Sequence, residues 1–232
     1  EARRLTAFHE AGHAIVGANL KYSDPVHKVT IIPRGRAGGA TYFLPEDDRT
    51  EVSKDWCLDT ITQSLGGRVA EQLVLDRMGS GAQADIEMAS KLVRRMVTQW
   101  GMSESLGPIS FGEREEQIFL GREIQQHQDY SEKTAEDIDD EVKRIITECY
   151  DRAKKILEDN VKILHLMAEA LLDRETLDRE EIQMLLEGEE LPPVKRRSGK
   201  ANRKETPIVT EEKPGDAQPD FPGNPLPRPD TP

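Results

Sequence analysis

Apolar residues recur at two different spacings in the first half of the chain. Residues 5–16 place them three and four positions apart, which predicts an amphipathic helix. The segments HKVTIIPRG and GGATYFLPE are rich in β-branched and aromatic residues and predict two short strands joined by a glycine-rich loop. Helical spacing then returns in two runs, Leu58 to Leu73 and Ile86 to Trp100. This half therefore predicts three helices and a small β element.

From about Asp129 to Gly188 the pattern is helical throughout. Between Ile138 and Ile156, apolar residues step by alternating threes and fours, as they do in a helix packed against partners. These apolar residues could be buried in a helical bundle within the chain or in a contact between copies of the chain in a ring. Asp178, with Glu181 three positions later, predicts the capped start of a last short helix.

Beyond Leu191 the composition changes sharply. This segment holds most of the prolines of the chain and almost no periodic apolar residues, so it predicts a disordered tail. The whole pattern predicts a mainly α (α+β) fold with a small β element and a C-terminal helical bundle. We divide the chain into a core at residues 1–127, a helical part at 128–190 and a disordered proline-rich tail at 191–232.

Composition narrows the range of partners. The 232 residues carry a formal net charge of -12, which disfavours nucleic acid, because its phosphates are bound by lysine and arginine. Cys57 and Cys149 lie far apart and lack metal-ligand spacing, so we expect reduced thiols. No apolar run approaches the roughly 18 residues that cross a bilayer, and no signal peptide is recognisable. The chain starts at Glu1, directly in a helical pattern, so we expect it to be a piece of a longer protein.

The first helix carries the motif His9-Glu10-Ala11-Gly12-His13. Residues four apart lie on one helix face, so His9 and His13 can direct two imidazoles at one point. That geometry suits zinc, which binds histidine nitrogen at about 2.0–2.1 Å in tetrahedral sites. Glu10 projects beside such a metal, where it can accept a proton from water. The motif therefore predicts a hydrolytic zinc site with Glu10 as the base.

The plain alternative is a helix that holds two histidines by chance. Ala11 and Gly12 are small enough for close backbone approach, and the flanking residues are apolar, as expected for a site buried against a sheet. We therefore favour the catalytic interpretation. His27, His127 and His165 lack partners at ligand spacing, so we expect them to be structural or exposed.

A zinc site of this kind needs a third protein ligand. No glutamate or histidine follows the motif in the pattern of thermolysin-like or metzincin enzymes, so the third ligand must come from elsewhere, and two acidic residues stand out. Glu71 lies inside the second helix, where it could be a surface residue or could hold the far nitrogen of a ligating histidine. Asp85 lies where a glycine-rich loop enters the third helix and could instead cap that helix. Loop-to-helix positions reach inward more readily, which modestly favours Asp85.

Five longer segments are similar to the proteolytic domain of FtsH, a family of membrane-anchored, ATP-dependent zinc proteases. They are TAFHEAGHAIVG, VTIIPRGRAGGATYFLPE, LGGRVAEQLV, GSGAQADIEMASKLVRRMVTQWGMSESLGPISFG and DYSEKTAEDIDDEV. The resemblance covers about residues 1–187 and excludes the tail. It implies a zincin-like helical protease domain with His9, His13 and Asp85 as Zn²⁺ ligands and Glu10 as the base.

The resemblance also implies a setting for this domain. We expect the AAA+ ATPase module, through which ATP would act, and the N-terminal transmembrane segments to lie upstream of Glu1. The parent is expected to be a homo-hexamer at the cell inner membrane, with its protease domain on the cytoplasmic side. Its expected substrates are unfolded or damaged membrane and cytoplasmic proteins. An extended substrate could pair with a strand edge, which we expect at Gly39 to Leu44.

Two rival interpretations come from other classes of protein. A non-catalytic, zinc-stabilised ring module would organise a partner ATPase, but a structural metal site needs no base such as Glu10. A stand-alone zinc peptidase would work without ATP, and the start of the chain inside a helical pattern argues against it.

Overall fold

The computed structural model describes residues 1–35, 37–45, 51–75, 79–111 and 130–193. The predicted tail lies outside these residues from 194 onward, and so does His127. The elements are helix α1 (Ala2–Ala18), strands β1 (Val26–Thr30) and β2 (Ala40–Phe43), helices α2 (Lys54–Leu75), α3 (Gln83–Thr98), α4 (Glu132–Asp159) and α5 (Val161–Arg174), strand β3 (Thr176–Asp178) and helix α6 (Arg179–Leu186). The prediction of a mainly α (α+β) fold with a small β element is therefore confirmed.

Helices α1 and α2 cross in close contact at a pair of glycines. A Cβ atom added to Gly12 would lie 2.5 Å from the carbonyl oxygen of Gly66, so any larger residue would force the two helices apart. α1 is buried along most of its length, because α2 covers one side and α5 and the sheet cover others. Its apolar residues therefore form the centre of one core, while α2, α3 and α4 enclose a second.

The sheet has the strand order β2-β1-β3, with both pairs antiparallel. Thr30 of the central strand pairs with Ala40 on one side and with Thr176 on the other. Among the described residues, β2 is thus an edge strand. Its free edge lies within Gly39 to Leu44, the segment where we expect an extended substrate to pair.

The prediction that the region from about Asp129 to Gly188 consists of helices throughout is wrong at β3. Glu175 ends α5 in the left-handed conformation, with φ of 63°, and this reverses the chain toward the sheet. Thr176 and Thr30 then share a hydroxyl hydrogen bond of 2.8 Å, and Leu177 is fully buried. A three-residue strand is too short to produce a recognisable period, so tertiary pairing with β1 decides its conformation.

The remaining helical predictions agree with the structure. Within the seam on α4, Ile138, Ile145 and Cys149 are buried against residues of α2 and α3, so this part of the seam packs inside the chain. Asp178 and Glu181 form the capping box at the start of α6, with both reciprocal hydrogen bonds present. In the part of the chain that the structure describes, no helix is both long and apolar enough to span a bilayer.

Candidate metal centre

Two helices bring the predicted ligands together. α1 carries His9 and His13 one turn apart, and Asp85 lies in the first turn of α3, which enters from a 3-10 turn at Ser80–Ala82. The Nε2 atoms of the two histidines are 3.1 Å apart. Asp85 Oδ2 lies 3.3 Å from Nε2 of His9 and 3.6 Å from Nε2 of His13. Three potential donor atoms thus form a small triangle.

The size of this triangle fits zinc. Ligands at about 2.0–2.1 Å from a tetrahedral metal lie about 3.3–3.4 Å from one another, by the geometry of the tetrahedron. The three observed separations bracket that value. The described residues contain no other group of three or more histidine, cysteine, aspartate or glutamate side chains close enough to share an ion.

The far nitrogens of both imidazoles are already engaged. Nδ1 of His9 donates to Glu71 Oε1 at 2.8 Å, and Nδ1 of His13 donates to the backbone carbonyl of Gln63 at 2.9 Å. A neutral imidazole that donates through Nδ1 presents a lone pair at Nε2. Two lone pairs and a carboxylate oxygen therefore face one another, and this arrangement needs a positive charge between them.

The electrostatics of the cluster agree with this interpretation. Burial lowers the pKa of His9, but hydrogen bonds to Asp85 and Glu71 and the nearby charge of Glu10 outweigh burial and raise the pKa to about 9. Burial raises the pKa of Asp85, but hydrogen bonds from His13 and His9 hold it well below its usual range. The carboxylates around His9 thus favour a positive charge at this position, and a divalent cation would supply that charge in place of the proton.

A glycine of α2 makes room for the imidazoles. A Cβ atom added to Gly67 would lie 2.6 Å from Nε2 of His13 and 2.6 Å from Cε1 of His9. The two rings therefore pack directly on the α2 backbone, and they meet edge to face with centroids 4.7 Å apart. Gly67 was not among the residues singled out from the sequence, although a pair of glycines inside a helical pattern is a recognisable sign of close packing.

Glu71 joins the centre to the connection that leads into α3. Its side chain is buried, and its second oxygen, Oε2, lies 3.5 Å from Arg68. Arg68 also donates to the carbonyl of Gly79 at 2.8 Å, just before the 3-10 turn. Glu71 thus orients His9. Arg68 connects α2 to the segment at Gly79 that leads into α3 and Asp85. The alternative that Glu71 is a surface residue is wrong, and the helix-capping alternative for Asp85 is also wrong, since Ala82 occupies the N-cap position.

Glu10 points from α1 toward the edge strand. Its carboxylate oxygen Oε2 accepts a hydrogen bond of 2.7 Å from the hydroxyl of Thr41 on β2. Glu10 and the three potential ligands line a common cleft of about 600 Å³, whose walls come from α1, β2, α2 and the start of α3. A carboxylate, two imidazoles and an aspartate therefore face one solvent-accessible space beside an edge strand.

The other two histidines that the structure describes, His27 and His165, are not among the residues that line this cleft. His27 is exposed on β1, and His165 is exposed on α5, where it contacts the ring of Phe8 edge to face at 5.2 Å between centroids. The expectation of a structural or exposed role is met for both. Thr41 and Gln63 take part in the site but were missed, because a single hydroxyl or a backbone carbonyl leaves no pattern in a sequence.

Comparison with known proteins gives one consistent result. The sequence model described as peptidase family M41 matches residues 1–185. The protein named ATP-dependent zinc metalloprotease FtsH from Acidobacterium capsulatum is 52% identical over 199 residues, covering 86% of this chain and 31% of that protein. Proteins of that name from Thermoanaerobacter sp. and Magnetococcus marinus are each 50% identical, covering 83% and 90% of this chain and 31% and 32% of their own lengths. The chain therefore spans about a third of the relatives it matches.

Proposed function

The chain belongs to peptidase family M41, the family of the FtsH proteases that it resembles, and on that premise we propose that it is the zinc-dependent endopeptidase part of a larger ATP-dependent protease. Family membership supports a metalloprotease in general terms. The residues proposed to perform the reaction are His9, His13 and Asp85 as the zinc ligands and Glu10 as the general base.

One observation carries this proposal. Nε2 of His9, Nε2 of His13 and Oδ2 of Asp85 lie 3.1 to 3.6 Å apart, at the spacing of the ligands of one tetrahedral zinc ion. The Glu71 carboxylate behind His9 and the backbone carbonyl of Gln63 behind His13 favour the tautomer of each imidazole that a metal requires. Three protein ligands leave a fourth position open, which is typical of catalytic rather than structural zinc sites.

The chemistry then divides between the metal and the chain. A zinc ion at this position would supply Lewis acidity, which polarises a peptide carbonyl and lowers the pKa of water. Glu10 removes a proton from the water whose oxygen attacks the carbonyl carbon. The same carboxylic acid then returns the proton to the peptide nitrogen as the carbon–nitrogen bond breaks. One carboxylate thus serves as base and then as acid, and no covalent intermediate with the protein is needed.

The substrate is proposed to be an extended segment of polypeptide. β2 has a strand partner on one side only among the described residues, and it borders the cleft that contains Glu10. Pairing of main chain with main chain along this edge would hold a peptide with its carbonyl groups beside the site. Backbone pairing reads few side chains, so it suits unfolded proteins of many sequences.

The wider setting follows from the family rather than from the described residues. We propose that the parent is a homo-hexamer anchored in the cell inner membrane, with the protease domain on the cytoplasmic side. An AAA+ module would use ATP to unfold damaged membrane and cytoplasmic proteins and deliver them to the cleft. The zinc site itself needs no nucleotide, so cleavage of an already unfolded substrate is expected without ATP.

Replacing Glu10 by glutamine tests the proposal. Glu10→Gln should keep stoichiometric zinc and lose cleavage of unfolded casein by a factor of about 10² to 10⁴, the usual contribution of a general base. Glu87→Gln, on the exposed surface of α3, is the matched control and should cleave as the wild type does. Persistent cleavage by Glu10→Gln would refute the mechanism. Zinc without cleavage in both wild type and variant would favour the non-catalytic ring module.

A further inference from the structure

The hydroxyl of Thr41 makes one contact that the proposed reaction has not yet used. A hydroxyl has one proton to donate. Two oxygens of Glu10 lie within reach of Thr41 Oγ1, the carboxylate Oε2 at 2.7 Å and the backbone carbonyl at 3.1 Å. The shorter distance to the charged group identifies the carboxylate as the main acceptor, since hydroxyl–carboxylate bonds are short and strong.

From this contact we infer that Thr41 is a positioning residue for Glu10, and that β2 therefore serves both the substrate and the base. The inference rests on the proposed function. Strand alternation places Thr41 and Phe43 on the face of β2 that covers α1, while Tyr42 on the other face is 39% exposed. The inner face of β2 then holds the base, and the edge of β2 that has no strand partner among the described residues is available to a peptide.

The backbone around Thr41 is well fixed. Thr41 pairs with Val29 of the central strand, and the side chain of Val29 is fully buried. Just before β2, a Cβ atom added to Gly39 would lie 2.9 Å from Cγ of Glu10 and 2.7 Å from the carbonyl oxygen of Thr30. The Glu10 side chain is therefore confined between the backbone at Gly39 and the hydroxyl of Thr41.

This confinement selects one orientation of the carboxylate. A glutamate has three rotatable side-chain bonds, and a free one would spend much of its time turned away from the metal site. Thr41 engages Oε2, while a carboxylate has a second oxygen with which to take up a proton. A displacement of about 1 Å in a catalytic group can reduce a rate by about 10²-fold. Loss of one hydroxyl should therefore affect the chemical step more than substrate binding.

The experiment compares three variants of the zinc-loaded protein with an unfolded fluorogenic peptide as substrate. Thr41→Val removes the hydroxyl and keeps the shape, whereas Thr41→Ser keeps the hydroxyl. Thr30→Val is the matched control, since the Thr30 hydroxyl on β1 bonds Thr176 and the carbonyl of Glu175 rather than Glu10. Zinc content and thermal unfolding are measured for each variant.

We expect Thr41→Val to lower kcat by about 10- to 100-fold, with KM changed less than about twofold and zinc retained. Thr41→Ser should recover most of kcat, and Thr30→Val should lower stability without a comparable loss of kcat. Unchanged kcat in Thr41→Val, a change in KM alone, or equal losses in Thr41→Val and Thr41→Ser would each overturn the inference. If Thr41→Val does not fold, Thr41→Ala beside Thr41→Ser gives the same comparison.

A second measurement does not depend on activity. A crystal structure of the metal-free wild type should show the Glu10 carboxylate in one orientation. A crystal structure of metal-free Thr41→Val should show it in several. A single unchanged orientation in both would contradict the positioning role. Failure of the proposed function is recognised separately, because the wild-type protein would then not cleave the peptide and Glu10→Gln would behave like it.

Discussion

Two groups of side chains, the metal centre of His9, His13 and Asp85 and the cluster of Glu141, Arg144 and Ser103, each hold a shielded carboxylate but differ in the group that faces it. Glu141 on α4 accepts two hydrogen bonds from Arg144, at 2.8 and 2.9 Å, and one from Ser103 at 2.8 Å. Asp85, by contrast, faces two imidazoles that have already committed their Nδ1 protons elsewhere. Glu141 thus has a permanently charged partner within the chain. Asp85 has none among its facing groups, and its negative charge must be balanced by a proton on a histidine or by a cation.

Asp59 extends the comparison within α2 itself. Its buried carboxylate accepts from Arg152 at 2.6 Å and from the backbone nitrogen of Tyr22 at 2.8 Å, which ties α4 and the loop before β1 to α2. A buried carboxylate with an arginine partner is a structural connection. A partly buried carboxylate such as Asp85, among histidines at metal spacing, is a candidate site. The nature of the facing group, rather than burial, distinguishes the two.

The largest expected effect separates these two kinds of carboxylate. Asp85→Ala should abolish zinc binding and peptide cleavage and leave the helical content intact, because it removes one ligand from a site open to solvent. Asp59→Ala should keep zinc and lower the free energy of unfolding by about 1–3 kcal/mol, since Arg152 and the Tyr22 amide lose their acceptor. Metal analysis and chemical denaturation of both variants check the comparison. Full zinc in Asp85→Ala would remove Asp85 from the ligand set.

Gly67→Ala should weaken zinc binding more than it weakens the fold. Alanine is the better helix former by about 1 kcal/mol, which offsets part of the overpacking in the metal-free protein, so its stability should change little. Its Cβ would press on both imidazoles, and we expect overpacking of about 1–3 kcal/mol to appear as zinc affinity lowered by up to about 100-fold. Competition with a chelator measures the affinity. Equal affinity in Gly67→Ala and wild type would show that the rings can shift without cost.

Glu71→Gln should have a smaller effect on the same site. Glutamine still offers an oxygen to Nδ1 of His9 but loses the charge, so zinc affinity should fall by about tenfold, at the low end for partners of metal-binding histidines. Arg68→Gln should be similar or weaker, because Arg68 acts through Glu71 and through the Gly79 carbonyl. Loss of all zinc in Glu71→Gln would instead make Glu71 a ligand. Isothermal titration with zinc distinguishes these results.

Glu141→Gln should change stability only, and in a pH-dependent way. Hydrogen bonds from Arg144 lower the pKa of Glu141 to about 2 against the opposing effect of burial, with further help from Ser103. A lowered pKa stabilises the fold at pH values above the ordinary pKa of 4.5, and this contribution disappears as the pH falls through about 2. The free energy of unfolding of the metal-free wild type should therefore exceed that of Glu141→Gln by about 1–2 kcal/mol at neutral pH. The difference should become smaller as the pH approaches 2. Denaturation at several pH values measures the difference; a gap that widens in acid would contradict it.

Much of the site could be predicted because its main signals are local. The spacing of His9 and His13 on one helix fixes two imidazoles on one face, and that spacing follows from helix geometry alone. The carboxylate next to the first histidine predicts a base for the same reason. The proposed third ligand has no such local signal: the sequence pattern leaves Asp85 and Glu71 open, and the family resemblance implies Asp85.

The sequence by itself determined the helices, the two longer strands and the paired histidines, since these depend on periods of two and of three to four residues. Only the tertiary structure decided that β3 pairs with β1, that Gly67 admits the imidazoles and that Thr41 reaches Glu10. Each of these joins positions that are distant along the chain or unmarked by any period. Contacts of that kind depend on how the helices and strands pack against one another, so a local sequence pattern does not predict them.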